Sequence, residues 1–482
     1  MAVKNDIGTI DAGIWIAGQW VETKEKIPVK NKFTGEILGF VGKADQEQTE
    51  WAVSNAKETF EKVKLSPYER SVILNKMAQK LKENKEELAL ILTRETGNTI
   101  RESLAEIDRC VFTFEYSAEE AKRITGEMLP INSMKGHEHR FGYTVRVPVG
   151  VVCAITPFNG PLNLASHKIA PAIAAGNTVV LKPARTTSLS AVRFAELLKE
   201  SGLPDGYLNV VFGGGGDVGT WLLHDQRIGF YSFTGSEEVG KMIKKETGLR
   251  RVGLELGNNS ATIVCSDANI DQAAELCVKR ALWKAGQVCI SVQRVYVHEA
   301  IIDQFLQKAT GIMEQIKVGD PEDPNTDIGV MHTEEAAGRI EAWVQEAVEQ
   351  GARVVYGNRR NKSQFHPTLL TDVKPNMKVV CKEIFAPVVS VIPFRDLEEV
   401  IGLVHDSDYG LQAGVFTNDI NTAFYLANKI EVGGININDT SNWRADIIPY
   451  GGIKNSGIGR EGPKYAIEEM TELRVVTFNL NI

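Results

Sequence analysis

The sequence predicts an α/β protein with two doubly wound parallel-sheet domains. Three observations carry that expectation. From Gly150 onward, short β-prone runs alternate with helical segments; the alternation starts afresh near Ser260; and 482 residues at 43% hydrophobic composition are enough for about two to four domains with cores of their own. Strands joined by helices of this length imply right-handed crossovers into parallel sheets, which bind ligands beyond the C-terminal ends of their strands.

The elements follow in order. Tyr68 to Ile124 is a helical block, with apolar residues at helical spacing in "RSVILNKMAQKLKENKEELALILTRETG". "GVVCAITP" reads as a strand, "LNLASHKIAPAIAAG" as a helix stopped by Gly176, and "NTVVLKPA" as the next strand. "SAVRFAELLKESG" is again helical, and "YLNVVFG" and "GFYSFTG" are strands on either side of a short helix. The second set, from about Ser260 to Val432, offers "SATIVC", "VQRVYVHEA", "ARVVYG", "VVSVIPF" and "QAGVFTN" as strands, so Glu255 to Gly257 lies at the seam between the sets. A cleft at such a seam is where a cofactor held by one domain meets chemistry from the other. The tail, "YAIEEMTELRVVTFNLNI", ends in an alternating β-prone segment that either pairs within its own domain or reaches a partner subunit.

Composition excludes several classes. The net charge of −8 is spread without a basic block, so neither nucleic acid nor an anionic membrane is expected as a partner. "MAVKNDIGTIDAGIWIAG" carries acids among its apolar residues, and no later stretch approaches membrane-spanning length; a cytoplasmic location is expected. The six cysteines are widely spaced and form neither a disulfide framework nor a CxxC metal pair, so most are expected to be reduced and buried, with no metal bound.

Chemistry enters through single residues at strand ends. In "FYSFTGSEEVGKMIKK" a strand runs into Gly235, and Thr234 and Glu237 have the capping-box spacing for the helix that follows. A helix N-terminus there suits a pyrophosphate, although an ordinary βα turn accounts for the same residues and the GxGxxG fingerprint is absent. Asn159 in "TPFNGPLN" follows a strand, where its amide is either a turn residue or a donor to an oxyanion. Lys182 in "VVLKPA" is either a surface lysine or a cation for a ribose or phosphate. Glu255 interrupts an apolar run in "GLELGNN"; a carboxylate buried there has a raised pKa and serves as a base unless a structural partner neutralises it. Cys289 sits between a Gly-Gln turn and a β-prone run in "KAGQVCISVQ", as packing or as a nucleophile.

The order and spacing of these pieces are more specific than any one of them. "PFN", "LKPA", "FTGSEEVG", "LELG", "GQVC", "EIFAP" and "GGIKNSGIGREG" occur as they do in the aldehyde dehydrogenase superfamily, which the chain resembles over nearly its whole length. The 34 residues from Glu255 to Cys289 also match that family's interval from base to nucleophile. The resemblance implies that Cys289 attacks the aldehyde, that Asn159 and the Cys289 backbone N–H hold the oxyanion, and that Glu255 activates water against the thioester. It places Lys168 near the active site. It further implies an NAD or NADP site. Its residues are Ile155, Thr156, Pro157, Phe158, Lys182, Ala184, Arg185, Gly215, Gly219, Phe233, Thr234, Gly235, Ser236, Val239, Leu256, Gly257, Glu383 and Phe385. Among them Lys182 and Ser236 contact the adenine ribose and pyrophosphate, while Glu383 holds the nicotinamide ribose and Phe385 packs beside it.

The resemblance also implies a domain plan. Residues 1–125 and 148–254 form a cofactor domain, 255–435 a catalytic domain, 126–147 and 465–482 a small β oligomerisation arm, and 436–464 an active-site loop. A homodimer or homotetramer is expected. Three departures stand out. Arg185 replaces the family's glutamate after "KPA", exchanging a group that repels a 2′-phosphate for one that pairs with it, unless it points into solvent. Asn258 and Asn259 follow the base, and Ala386 stands where glycine is usual.

For the substrate, the alignment turns Gly160, Asn163, Leu164 and His167 towards a channel that is wider and more polar than in many relatives. Arg444, in "SNWRADIIPYGG", comes from the loop over the channel mouth, and Arg109 from the helix opposite. Such arginines suit a sulfonate, phosphate or carboxylate, or else are used in an ion pair such as Arg444–Asp446. "PLNLASHK" and "AGQVCISVQRVYVHE" resemble the lactaldehyde-type branch, so a short polar or anionic hydroxyaldehyde such as lactaldehyde or sulfolactaldehyde is expected. The alternatives are an aromatic aldehyde dehydrogenase of the benzaldehyde or vanillin type, a phosphorylating or CoA-acylating relative, against which Glu255 argues, and a non-catalytic binding protein, which would have no reason to keep Cys289, Glu255 and Asn159 together.

Overall fold

The computed structural model describes residues 8–480; the outermost parts of the expected spans, residues 1–7 and 481–482, lie outside them. The first sheet has eight strands. Its five central ones are parallel, in the spatial order Arg251–Glu255, Ile228–Thr234, Val151–Ile155, Thr178–Lys182, Leu208–Val210. Antiparallel strands close both edges, Gly457–Ile458 on one side and the Ile14–Ile16 and Gln19–Val21 hairpin on the other. Val151 to Ala154 are fully buried, as expected for a parallel strand with helices on both faces. The strand order reverses between Val151–Ile155 and Ile228–Thr234, which is the switch point at which such sheets open a crevice. Thr156, Gly235 and Leu256 all emerge at that edge.

The second sheet has seven strands in the order Arg353–Tyr356, Thr368–Thr371, Val388–Phe394, Arg294–His298, Ala261–Val264, Gln412–Phe416, Gly434–Ile437. All run parallel except the first. Every strand expected from the alternation is present. Only five residues separate Glu255, the end of the first sheet's outer parallel strand, from Ala261, the start of an inner strand of the second sheet. The seam is therefore tight, and it lies beside the switch point.

One local reading is corrected. Thr234 does not cap the following helix: it is the last residue of its strand, paired with Glu255, and the helix Glu237–Thr247 is capped by Ser236, whose side chain accepts from the Val239 N–H. Strand pairing holds Thr234 extended, and the capping role passes two residues on. Glu237 then spends its carboxylate on Lys241 and Asn455 instead of reaching back to Thr234.

A third, antiparallel sheet joins Met128–Leu129, Arg140–Pro148 and Thr471–Asn479. Phe141, Tyr143 and Phe478 cluster on it, whereas Leu473 and Val475 are more than half exposed. Its root is fixed by Asn177. This fully buried amide accepts from the Gly150 N–H at 2.9 Å and donates to the Met470 carbonyl at 3.0 Å, tying the first sheet to both ends of the arm. Asn177→Ala leaves the buried Gly150 N–H unpaired, at about 1–3 kcal/mol, and leaves the Met470 carbonyl only its bond from the Val149 N–H at 3.4 Å. The expected result is a lower urea midpoint at unchanged m-value.

Candidate active site

The site begins with a helix that holds two loops at once. On Ile100–Glu120, Glu102 and Glu106 lie one turn apart on one buried face. Glu106 accepts from the N–H groups of Leu162 and Asn163 at 3.1 and 3.2 Å, capping the helix Pro161–Ala175, whose own N-cap, Gly160, has no side chain to do so. Its other oxygen takes the Lys284 ammonium at 2.6 Å, and Glu102 accepts from the Lys284 backbone N–H. Lys284 also donates to the Asn159 carbonyl at 2.9 Å. Both Lys284 and Ala285 are left-handed at φ 52°, a strained conformation for residues with side chains. Gly286 follows at φ +71°, where an added Cβ would lie 2.1 Å from the Ala386 carbonyl oxygen, so the loop carrying Cys289 presses directly on the "EIFAP" segment.

Asn159 and Cys289 meet across this frame. The Asn159 side-chain amide donates one N–H to the Gln287 carbonyl at 2.7 Å, which fixes its direction and leaves its second N–H for a ligand. Cys289 is partly exposed, and Asn159 and Cys289 line one cavity of about 850 Å³ together with Phe158, Gly235, Ser236, Leu256, Gly257, Glu383 and Phe385. The buried Thr156 and Thr234 hydroxyls at the switch point have no hydrogen-bond partner among the described residues. An added Cβ on Gly257 would come within 2.7 Å of the Glu383 carboxylate. Helix N-terminus, bare glycine backbone and unpartnered hydroxyls fit a dinucleotide. Burial raises Glu383 to about 7, against the pull of the Asn258 N–H that it accepts at 2.9 Å.

The other expected cofactor residues flank this cavity. Lys182 is buried beside Gly219, and Arg185 is exposed with no ion pair among the described residues. Ile155, Ala184, Gly215 and Val239 do not line the cavity itself. Asn258 and Asn259 are used structurally: Asn258 donates to Ser260, and Asn259 bridges Val380 and Ser407. A residue that the sequence reading missed, His332, stacks on Phe158 with centroids 3.9 Å apart; burial lowers its pKa to about 3, so the ring is neutral.

Next to Cys289, on the side of the covering loop, lies a buried cluster of charges. Lys168 donates to Glu461 at 3.0 Å, and Arg444 donates to the same carboxylate at 3.2 Å. Burial works to raise Glu461, yet Lys168, Arg444 and His167 together hold it at about 2. Glu255 goes the other way. Burial first, and then the negative Glu461, push its carboxyl well above the ordinary range. Its Oε2 has no partner among the described residues, and it borders a separate cavity of about 20 Å³, roughly the size of one water. His167 contacts Asp446 at 2.9 Å; burial and Arg444 lower its pKa, so it is neutral, with Nε2 as donor. Arg109 grips Asp446 with Nε and NH2, at 3.2 and 2.7 Å.

The Arg444–Asp446 pair, the alternative to substrate contact, is not formed; two others, Arg444–Glu461 and Arg109–Asp446, stand in its place. The former is almost wholly buried. Arg444 keeps one buried donor, Nε, without a partner among the described residues, and Asn163, one helical turn before His167, keeps an unpartnered acceptor, Oδ1. Leu164 lines the main cavity, and Gly160 is packed near Lys284. Beyond His332, the sequence reading did not single out Glu106, Lys284, Glu461 or Tyr450, whose hydroxyl lies 2.9 Å from Cys289 Sγ. Their only signal was position: Lys284 opens the cysteine segment, and the other two loop residues sit in or beside the covering-loop motif.

Known proteins resemble this chain over nearly its whole length. The model of the aldehyde dehydrogenase family matches residues 20–476. A protein named 3-sulfolactaldehyde dehydrogenase from Priestia aryabhattai is 50% identical over 468 residues, 97% of this chain and 98% of that one. One named lactaldehyde dehydrogenase from Methanococcus aeolicus is 39% identical over 97% of this chain and 100% of its own. The crystal structure of NADP-dependent glyceraldehyde-3-phosphate dehydrogenase from Bacillus halodurans, complexed with NADP, superposes at a TM-score of 0.95 with 36% identity, covering 98% and 100% of the two chains.

The holding helix yields a test. Glu106→Ala strands the Lys284 ammonium without its carboxylate, at about 3–5 kcal/mol. It also frees Asn159, and a displacement of about 1 Å there costs on the order of 100-fold in kcat. Chemical denaturation and steady-state kinetics of the same preparation should show both losses.

Proposed function

The chain belongs to the aldehyde dehydrogenase family, and we propose that this NAD(P)-dependent oxidoreductase converts a short hydroxyaldehyde bearing an anionic group, of the sulfolactaldehyde or lactaldehyde kind, to its carboxylate. The observation that carries the substrate reading is the buried guanidinium of Arg444. Its free Nε donor is separated from the Cys289 thiol by a single phenol ring, that of Tyr450. An aldehyde carbon on the sulfur and an anionic group on Arg444 are then only a short chain apart. The unpartnered Asn163 Oδ1 supplies an acceptor for a substrate hydroxyl between them.

In this reading Cys289 Sγ adds to the carbonyl carbon, giving a thiohemiacetal whose oxyanion takes the second N–H of Asn159. Ser236, Gly257 and Glu383 would hold NAD(P)+, which when bound would supply the acceptor for the hydride that leaves that carbon as the C=O re-forms. Glu255 removes a proton from water, the hydroxide adds to the thioester carbon, and the C–S bond breaks to release the acid and the thiolate. Lys168 and Arg444 hold Glu461 ionised, and its charge keeps the proton affinity of Glu255 high enough to act as base. The exposed face of the Thr471–Asn479 sheet, with Leu473 and Val475, supports a homodimer or homotetramer built through this arm.

Two measurements test the reading. Across sulfolactaldehyde, lactaldehyde, glyceraldehyde 3-phosphate, succinate semialdehyde and benzaldehyde, an anionic hydroxyaldehyde should have the highest kcat/KM and Cys289→Ala should turn over none. Arg444→Ala should cost the anionic substrates roughly 10- to 100-fold more than benzaldehyde, the loss of a charge-assisted contact; equal losses would sink the anchor. Glu255→Gln should give a stoichiometric burst of reduced cofactor followed by slow turnover, because the thioester forms but is not hydrolysed. In the wild type, kcat limited by hydrolysis should rise with pH through a midpoint above the ordinary carboxylate range, since the base works only when ionised. That limb should be absent in the variant.

A further inference from the structure

The chemistry above leaves one group beside the nucleophile unused. Tyr450 comes from the covering loop, is 3% exposed, and packs on Ile290 and Leu411. Its hydroxyl lies 2.9 Å from Cys289 Sγ, and among the described residues the thiol is its hydrogen-bonding partner. The ring cannot drift. Its backbone exchanges two hydrogen bonds with Glu461, N–H to O at 3.1 Å and O to N–H at 2.7 Å, and the Arg444 guanidinium lies over its face, 3.7 Å from the centroid.

A hydroxyl facing a thiol is either donor or acceptor, but facing a thiolate it can only donate. The cation over the ring face draws electron density from the phenol and strengthens it as a donor. Burial, together with the nearby Cys289 and Glu255, holds the phenol well above its usual titration range, so the proton stays on oxygen. The thiol itself is pushed up to about 11, chiefly by burial and further by Glu383 and Glu255; the hydrogen bond from Tyr450 is the largest influence opposing that rise, and Arg444 adds to it.

We propose that Tyr450 is a catalytic residue of this reaction, its phenol O–H donating to the Cys289 sulfur so as to favour the thiolate and fix the direction from which it attacks. The proposal rests on the reading of Cys289 as nucleophile. During addition the sulfur lone pair becomes the new C–S bond and the phenol keeps its proton, so Tyr450 begins and ends the cycle in one protonation state. Arg444 thereby acts on both ends of the substrate: on the anion through its free Nε, and on the nucleophile through the ring it covers.

The test needs no aldehyde. Tyr450→Phe keeps the ring under Arg444 and removes only the hydroxyl. The rate of Cys289 alkylation by iodoacetamide is followed at pH 8 by peptide mass spectrometry, with Cys289→Ala as the control for Cys381, the exposed thiol among the described residues. Loss of a hydrogen bond to an ionised group lowers the thiolate fraction about 10- to 100-fold, and the greater intrinsic reactivity of a more basic thiolate returns part of this, so a fall of roughly 3- to 15-fold is expected. Incorporating 3-fluorotyrosine at position 450, a stronger donor in the same place, should accelerate alkylation. A phenylalanine variant that alkylates at the wild-type rate or faster, or a fluorotyrosine protein that does not accelerate, overturns the proposal. Since neither readout depends on substrate identity, it stands or falls apart from the hydroxyaldehyde reading.

Discussion

The buried contact between Glu106 and Lys284 is the constraint on which the site depends. It joins three pieces of chain that share no local sequence: the helix Ile100–Glu120, the N-terminus of Pro161–Ala175, and the loop before Cys289. Each partner does more than neutralise the other. Glu106 satisfies two helix N–H groups that Gly160 cannot cap, and Lys284 holds the Asn159 carbonyl. A lysine in the left-handed region is an unfavourable choice on its own, and it persists because Glu102 takes its N–H while Glu106 takes its ammonium. Asn159 and Cys289, the proposed oxyanion donor and nucleophile, are thus set relative to each other by two carboxylates on one helical face.

A second ordering principle is electrostatic. From Arg109 inward a continuous chain of contacts joins the charged groups through one neutral ring: Arg109 to Asp446, Asp446 to His167, His167 to Arg444, Arg444 to Glu461, Glu461 to Lys168. One carboxylate in this region, Glu461, is paired with Lys168 and Arg444 and ionises easily. Its neighbour Glu255 makes no ion pair among the described residues, and burial with the charge of Glu461 outweighs the pull of Arg444, Lys168 and Arg460, so it holds its proton tightly. Environments that drive two nearby carboxyls apart define which is the fixed charge and which is the base.

What the sequence made legible was what local pattern encodes. The alternation gave the strands and their C-terminal ends, and strand ends at or before Asn159, Lys182 and Glu255 marked residues delivered to one edge; where along that edge the strand order reverses was visible only in the sheet. Partners were not legible, because they are set by packing between distant segments: Glu106 and Lys284 lie 178 residues apart, Cys289 and Tyr450 161, Arg109 and Asp446 337. The Thr234 capping reading failed for a related reason. Thr234 and Ser236 are both good caps in isolation, and only pairing with Glu255 decides that the strand runs through Thr234. Likewise Arg444 could be read as a cation near the site, but not that Glu461, rather than Asp446, would take it.

The covering loop shows why these groups are better explained by chemistry than by stability. Burying Arg444, Lys168, Glu461, Asp446 and His167 together carries a desolvation cost that mutual pairing offsets only in part, and well-packed apolar residues in such places are often neutral or stabilising. Among the described residues the loop also leaves polar atoms without partners, Arg444 Nε and Asn442 Nδ2, and Asn163 Oδ1 and Glu255 Oε2 elsewhere in the site are without partners too. A segment selected for fold alone would have no use for such unpaired donors and acceptors. In the proposed reading a polar, charged substrate completes them, and the nucleophile that it must meet is held by a phenol from the same loop. On that reading anchor and nucleophile cannot be repositioned independently, and the distance between them sets the length of aldehyde that the site accepts.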